Sequence, residues 1–273
     1  MLRTSYVLLL CVLFYSCSVN NATEDPDLKK YFDQHKVTGT FGMFNNGSGE
    51  FTIYNLARFR DSAYLPASTF KIINSLIGIE TGRIKDSSTI IPWDSVTRNI
   101  PEWNRDLSMQ DAFRYSAVPW YQELARRIGR DTMQFWLDTL GYGSLKGKAV
   151  IQNNIDTFWL DNSVKVTADE QLGLVKRLYF GQLPFQARSQ RMVKNMMFRE
   201  KDSVYSLSYK TGWGTTPQNH ALGWIIGWLE QNRHPYFFVL QIESADPNFD
   251  MAAAREKLLI DILRHYDFRL VKR

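Results

Sequence analysis

The chain has 273 residues, 44% of them hydrophobic and 22% charged, which fits a folded domain with a sizeable core and excludes disorder and low complexity. Its net charge of +5 comes from 33 basic and 28 acidic residues with no Lys/Arg block, which excludes a nucleic-acid tail and leaves small anionic partners open. Both cysteines, Cys11 and Cys17, lie in the first 17 residues, so the body of the chain offers neither a cysteine zinc site nor a disulfide framework.

Arg3 precedes the apolar run from Tyr6 to Tyr15, and no acidic residue occurs before Glu24. That is the pattern of an export signal, too short to span a bilayer stably, which takes about 20 apolar residues. Tyr15-Ser16-Cys17-Ser18 admits two outcomes, lipidation at Cys17 or ordinary cleavage to a soluble periplasmic protein. The reading is a signal over 1–17, a polar tether over 18–27, and a catalytic domain over 28–273.

Thr40–Phe44 and Phe51–Tyr54 flank Asn45-Asn-Gly-Ser-Gly49 and predict a hairpin. Pro66 opens a helix with Phe70, Ile73, Leu76 and Ile77 at helical spacing, and Gly82 suits its end. Residues 105–180 are helix-rich, with Asp131 capping a run that ends at Gly141 and Thr167-Ala-Asp-Glu170 forming a capping box. Val204–Thr211, Ala221–Leu229 and Tyr236–Ile242 predict an antiparallel meander, the last two joined by Gln231–Pro235. Asp250 starts a terminal helix with Met251, Ala254, Leu258 and Ile262 on one face. Strands at both ends must pair across the helical middle. This is an α+β arrangement: an antiparallel sheet flanked by helices, with a mainly helical subdomain over about 92–200 and a cleft between the two.

Ser68-Thr-Phe-Lys71 is the only Ser-x-x-Lys in the chain. On a helix the two side chains lie ~5–6 Å apart. A buried lysine is driven towards its neutral form and can then take the serine proton. Ser116-Ala-Val118, before Pro119, offers a second hydroxyl able to pass a proton. Lys210-Thr-Gly212, read as the end of a strand, sets a cation beside a hydroxyl and a glycine that permits close approach, which suits a carboxylate. Alone, each is what an ordinary helix or strand end would carry. Together, in this order and 48 and 94 residues apart, they form a specific signal.

With these motifs the chain resembles the class D serine β-lactamases, of the penicillin-recognising serine enzyme superfamily. The likeness runs from about Gly39 to the terminal helix and is carried by Pro66–Leu76, Tyr115–Pro119, Tyr121–Gly129, Phe158-Trp-Leu160, Lys210–Trp213 and Leu222–Trp224. It implies a β-lactamase/penicillin-binding-protein-like fold and acylation of Ser68. Lys71 would be carboxylated by carbon dioxide, its carbamate serving as general base in an apolar lining of Phe70, Val118 and Trp159, with the indole N–H holding it. Ser116 would relay a proton to the β-lactam nitrogen with Lys210 behind it. The Ser68 and Trp213 N–H groups would form the oxyanion hole, and Thr211, Gly212 and Arg255 would serve the substrate carboxylate.

The family's Tyr-Gly-Asn is Tyr142-Gly-Ser144 here, which touches loop rigidity rather than chemistry. Thr215-Thr-Pro217 stands where some members carry arginine, which bears on substrate range. The implied partners are β-lactams, with no nucleic acid, a membrane link only through Cys17, and a monomer or homodimer. No cofactor beyond carbon dioxide and no metal is expected, since His35, His220, His234 and His265 are scattered. A β-lactam sensor domain and a D,D-peptidase of the same superfamily are the alternatives. A sensor normally hangs from a multi-span receptor, and the full-length class D likeness argues against the peptidase.

Overall fold

The computed structural model describes residues 21–270 except 144, 146, 153 and 269. The stretch read as an export signal, with Cys17, and Ser144 therefore lie outside the described residues. In chain order the elements begin with β1 (Ala22–Glu24), α1 (Lys29–Gln34), β2 (Thr38–Asn45), β3 (Glu50–Tyr54), α2 (Leu56–Asp61), β4 (Ala63–Tyr64) and α3 (Lys71–Glu80). The middle comprises β5 (Ile90–Ile91), β6 (Leu107–Ser108), α4 (Met109–Arg114), α5 (Val118–Ile128), α6 (Arg130–Leu140), β7 (Val166–Thr167), α7 (Ala168–Tyr179) and α8 (Ala187–Met196). The chain closes with β8 (Phe198–Lys201), β9 (Tyr205–Thr215), β10 (Ala221–Gln231), β11 (His234–Ser244) and α9 (Met251–His265).

One sheet of order β1-β3-β2-β11-β10-β9-β8 collects strands from both ends of the chain. Its central seam is β2 against β11, antiparallel, with Thr40 opposite Gln241. β10 explains the layering. Leu222, Trp224, Ile226 and Trp228 alternate into the core shared with α3, α5 and α7, while Ala221, Ile225 and Leu229 face the core built with α1 and α9. Covered on both faces, β10 is buried from Ala221 to Leu229, hence its unbroken apolar run. Gly223 faces α9, where an added Cβ would lie 2.3 Å from Met251 Sδ. Gly223→Ala should therefore cost ~1–3 kcal/mol in urea unfolding by forcing Met251 aside; an unchanged midpoint would contradict that packing.

Local signals landed where backbone hydrogen bonds demand particular residues. Thr167 and Glu170 cap α7 reciprocally, and the Asp250 side chain accepts from Ala253 N at the start of α9. Gly82 has φ +69 and its N–H closes α3 onto Ile79 O at 3.0 Å.

Four expectations are corrected. Pro66 leads into a 3-10 turn, Ala67–Phe70, and the α-helix starts only at Lys71. Gly129 is the N-cap of α6, so Asp131 sits in the first turn, where its carboxylate favours the helix dipole instead of capping. Pro235 belongs to β11, opposite Glu230, because Asn232 and Arg233 at φ 53 and 65 make the hairpin turn alone. Of the stretch read as a tether, Ala22–Glu24 pair in parallel with β3, held at its edge by Asp25 N donating to Ile53 O at 2.7 Å.

Candidate active site

Four of the singled-out side chains converge as two couples. Lys71 Nζ lies 2.7 Å from Ser68 Oγ across one turn, with Ser68 9% exposed and Lys71 fully buried. Burial alone pushes the Lys71 amine down to about 7. No carboxylate pairs with it among the described residues; the Tyr121 ring lies 5.4 Å from Nζ. Lys210 Nζ donates to Ser116 Oγ at 3.0 Å and to Thr211 O at 3.0 Å. Lys210 too is fully buried. Burial first, then the cations Lys71, Arg199 and Arg255, hold its amine well below the ordinary lysine range.

The motif expected to end a strand lies in mid-strand, with Lys210 and Gly212 buried and Thr211 half-buried. Gly212 to Thr215 continue β9 by pairing with Trp224 to Ala221, so the turn falls after residue 215. Alternation sends Lys210 and Gly212 to the face of the Ser68 turn. Gly212 lets the turn pack closely: a Cβ would come to 3.1 Å from Pro66 O and 3.2 Å from Thr69 Cγ2, a tight fit. Trp213 is 54% exposed. Ser116 occupies the link between α4 and α5 at φ +56, a strained conformation for serine that aims its hydroxyl at Lys210.

Phe70 and Trp159 stack at 5.4 Å, and Phe158 meets both edge-on at 4.9 and 5.1 Å. Val118, the first residue of α5, is half-buried. Trp159 is fully buried, yet its Nε1 has no hydrogen-bond partner among the described residues. An orphaned donor of this kind costs about 1–3 kcal/mol. It fits an acceptor such as a carbamate on the neighbouring lysine. Arg255, on the first turns of α9, is not a surface residue: it is 9% exposed and its Nη1 donates to Gly212 O at 2.7 Å, while its Nε is orphaned.

Tyr121 escaped the sequence reading as a site residue. It lies three residues beyond Val118 on one face of α5, and its hydroxyl meets Ser75 Oγ at 2.8 Å; the helical spacing could have drawn attention to it. Three histidines are engaged elsewhere: His35 with Asp261 at 2.8 Å, His220 with Glu243 at 2.6 Å and His265 with Asp25 at 3.5 Å.

A buried Ser68–Lys71 couple and a second couple, Ser116–Lys210, thus stand on a sheet closed by the two chain ends, the setting in which the chain's relatives are informative. Residues 17–264 match the penicillin binding protein transpeptidase domain family. The chain is 36% identical to β-lactamase OXA-48 of Klebsiella pneumoniae, over 88% of each protein. It resembles the crystal structure of the class D β-lactamase YbXI from Nostoc at 36% identity and TM-score 0.82, covering 89% of this chain and 100% of that one. It also resembles the C-terminal domain of the Bacillus licheniformis BlaR penicillin-receptor at 26% identity and TM-score 0.82, over 90% and 96% of the chains. The chain belongs to the class D β-lactamases, serine hydrolases that open cyclic amides.

Proposed function

We propose that this protein hydrolyses the β-lactam amide of penicillin-type antibiotics through an acyl-enzyme on Ser68, with carboxylated Lys71 as general base, and so confers resistance. The observation that carries the reading is the fully buried, carboxylate-free Lys71 amine 2.7 Å from Ser68 Oγ. Carbon dioxide bound there as a carbamate supplies a general base. The chain's own residues do the rest. Phe70, Val118 and Trp159 exclude water from the lysine, and the Trp159 N–H is free to hold a carbamate oxygen. Ser116 passes a proton to the departing nitrogen, and Lys210, whose ammonium burial makes more acidic, returns a proton to the Ser116 oxygen it hydrogen-bonds. The Ser68 and Trp213 N–H groups stabilise the tetrahedral oxyanion. Thr211, with Arg255 docked on the Gly212 carbonyl, receives the substrate carboxylate. Export to the periplasm, with Cys17 lipidated or removed, completes the reading. Among the described residues no helix is long and apolar enough to cross a membrane.

Turnover of a chromogenic cephalosporin by the purified protein, raised by added bicarbonate, is the expected result. The likeness to the penicillin-receptor domain favours one second reading, a sensor that acylates and then stalls. A long-lived acyl-enzyme in the wild type, indifferent to bicarbonate, would select it. Lys210→Ala should cut kcat/KM by a factor corresponding to ~2–5 kcal/mol while the protein still folds. An unchanged kcat/KM would remove Lys210 from the relay.

A further inference from the structure

Ala67, immediately before Ser68, has φ +50. A residue with a side chain pays for that conformation in strain and keeps it only where its surroundings dictate it. Here three bonds do so: Ala67 N donates to Trp159 O at 3.0 Å, and Thr69 donates to Pro66 O twice, from N at 3.2 Å and from Oγ1 at 2.7 Å. The hydroxyl bond closes a loop around Ala67. Thr69 is fully buried, and its Oγ1 accepts from Gln171 Nε2 at 2.7 Å, a contact across 102 residues.

The direction of this chain of bonds matters. Once the Gln171 amide donates to the Thr69 oxygen, the Thr69 proton is left to point at Pro66 O. Gln171 stands on α7, which packs over β2, β10 and β11 and so ties the turn to the centre of the sheet. Its placement is costly for stability. Gln171 is fully buried and its Oε1 has no hydrogen-bond partner among the described residues. An apolar side chain there would suit the fold at least as well.

We propose that Gln171 is a positioning residue for the nucleophile, acting through Thr69 to hold the strained turn that aims Ser68 Oγ at Lys71. This rests on reading Ser68 as the nucleophile. The test compares Gln171→Met, close in shape to glutamine, with Gln171→Leu, Thr69→Ser, Thr69→Val and the Gln171→Met/Thr69→Val double variant. Each is measured for kcat, KM, Tm and the rate of acyl adduct formation by intact mass. Loss of one aligning hydrogen bond should lower kcat about tenfold in Gln171→Met. KM should stay within about a factor of three and Tm should hold or rise. Thr69→Ser should keep wild-type activity, and the double variant should be no slower than the slower single one, because both remove the same link.

Wild-type kcat in both Gln171 variants would overturn the proposal. So would losses that multiply in the double variant, or activity loss that tracks a fallen Tm in Gln171→Met and Gln171→Leu alike. Failure of the underlying reading looks different: no adduct on Ser68 even in the wild type. An adduct forming equally fast with and without Gln171 defeats the clamp alone.

Discussion

Ser68→Ala should abolish turnover and leave the fold intact. The substitution removes one hydroxyl whose neighbour is Lys71 Nζ, while the backbone bonds of its turn, Ala67 N to Trp159 O and Thr69 N to Pro66 O, stay in place. Losing the nucleophile of a serine hydrolase costs on the order of 10⁴–10⁶ in kcat, because the remaining donors act on nothing covalent. Intact mass after a slow β-lactam should show an adduct on the wild type and none on the variant, with matching thermal unfolding. An adduct on the variant would sink the assignment of Ser68.

The second large effect concerns Trp159 and Lys71 together. Trp159→Phe should keep the stack on Phe70 and delete the orphaned N–H; Trp159→Ala should also open the pocket to water and cost ~3–5 kcal/mol of stability. In Trp159→Phe acylation continues, but deacylation slows far more, because the same base must activate the hydrolytic water. The expected record is an early burst followed by trapped acyl-enzyme. Normal deacylation in Trp159→Phe would contradict the carbamate reading directly. The pH dependence follows from the amine at about 7. As pH falls through that value Lys71 should take a proton and lose carbon dioxide, activity should drop, and bicarbonate should restore it. The same shift has a stability signature. Between about 7 and the ordinary lysine value of 10.5, the unfolded chain holds a proton that the folded chain does not, so stability rises with pH across that window. An activity profile flat through neutral pH would remove Lys71 as the titrating base.

What could be read from the residues alone was whatever short-range chemistry dictates. Ser68 and Lys71 were legible because one helical turn joins them, and the capping box at Thr167 because its two bonds span three residues. The strand seams followed from β-rich runs at opposite ends. The tightness of the site was not legible. Lys210 looked like the end of an exposed strand, since nothing local shows that residues 213–215 go on pairing with β10. Nothing local marks Arg255 as buried, because its partner, the Gly212 carbonyl, is 43 residues away. Gln171 carried no signal: a glutamine on a helix is ordinary until the fold lays it on the nucleophile's turn.

The seam between β2 and β11 also orders events in time. Thr40 must find Gln241, and the Ser68 turn must find Lys210 on β9, so the contacts that build the site close very long loops. Such topologies fold slowly, because entropy is lost before the distant pairings repay it. An emerging chain therefore carries Ser68 long before Lys210. Activity should appear in one step, when the last strands dock, and a chain cut short of β11 should have none.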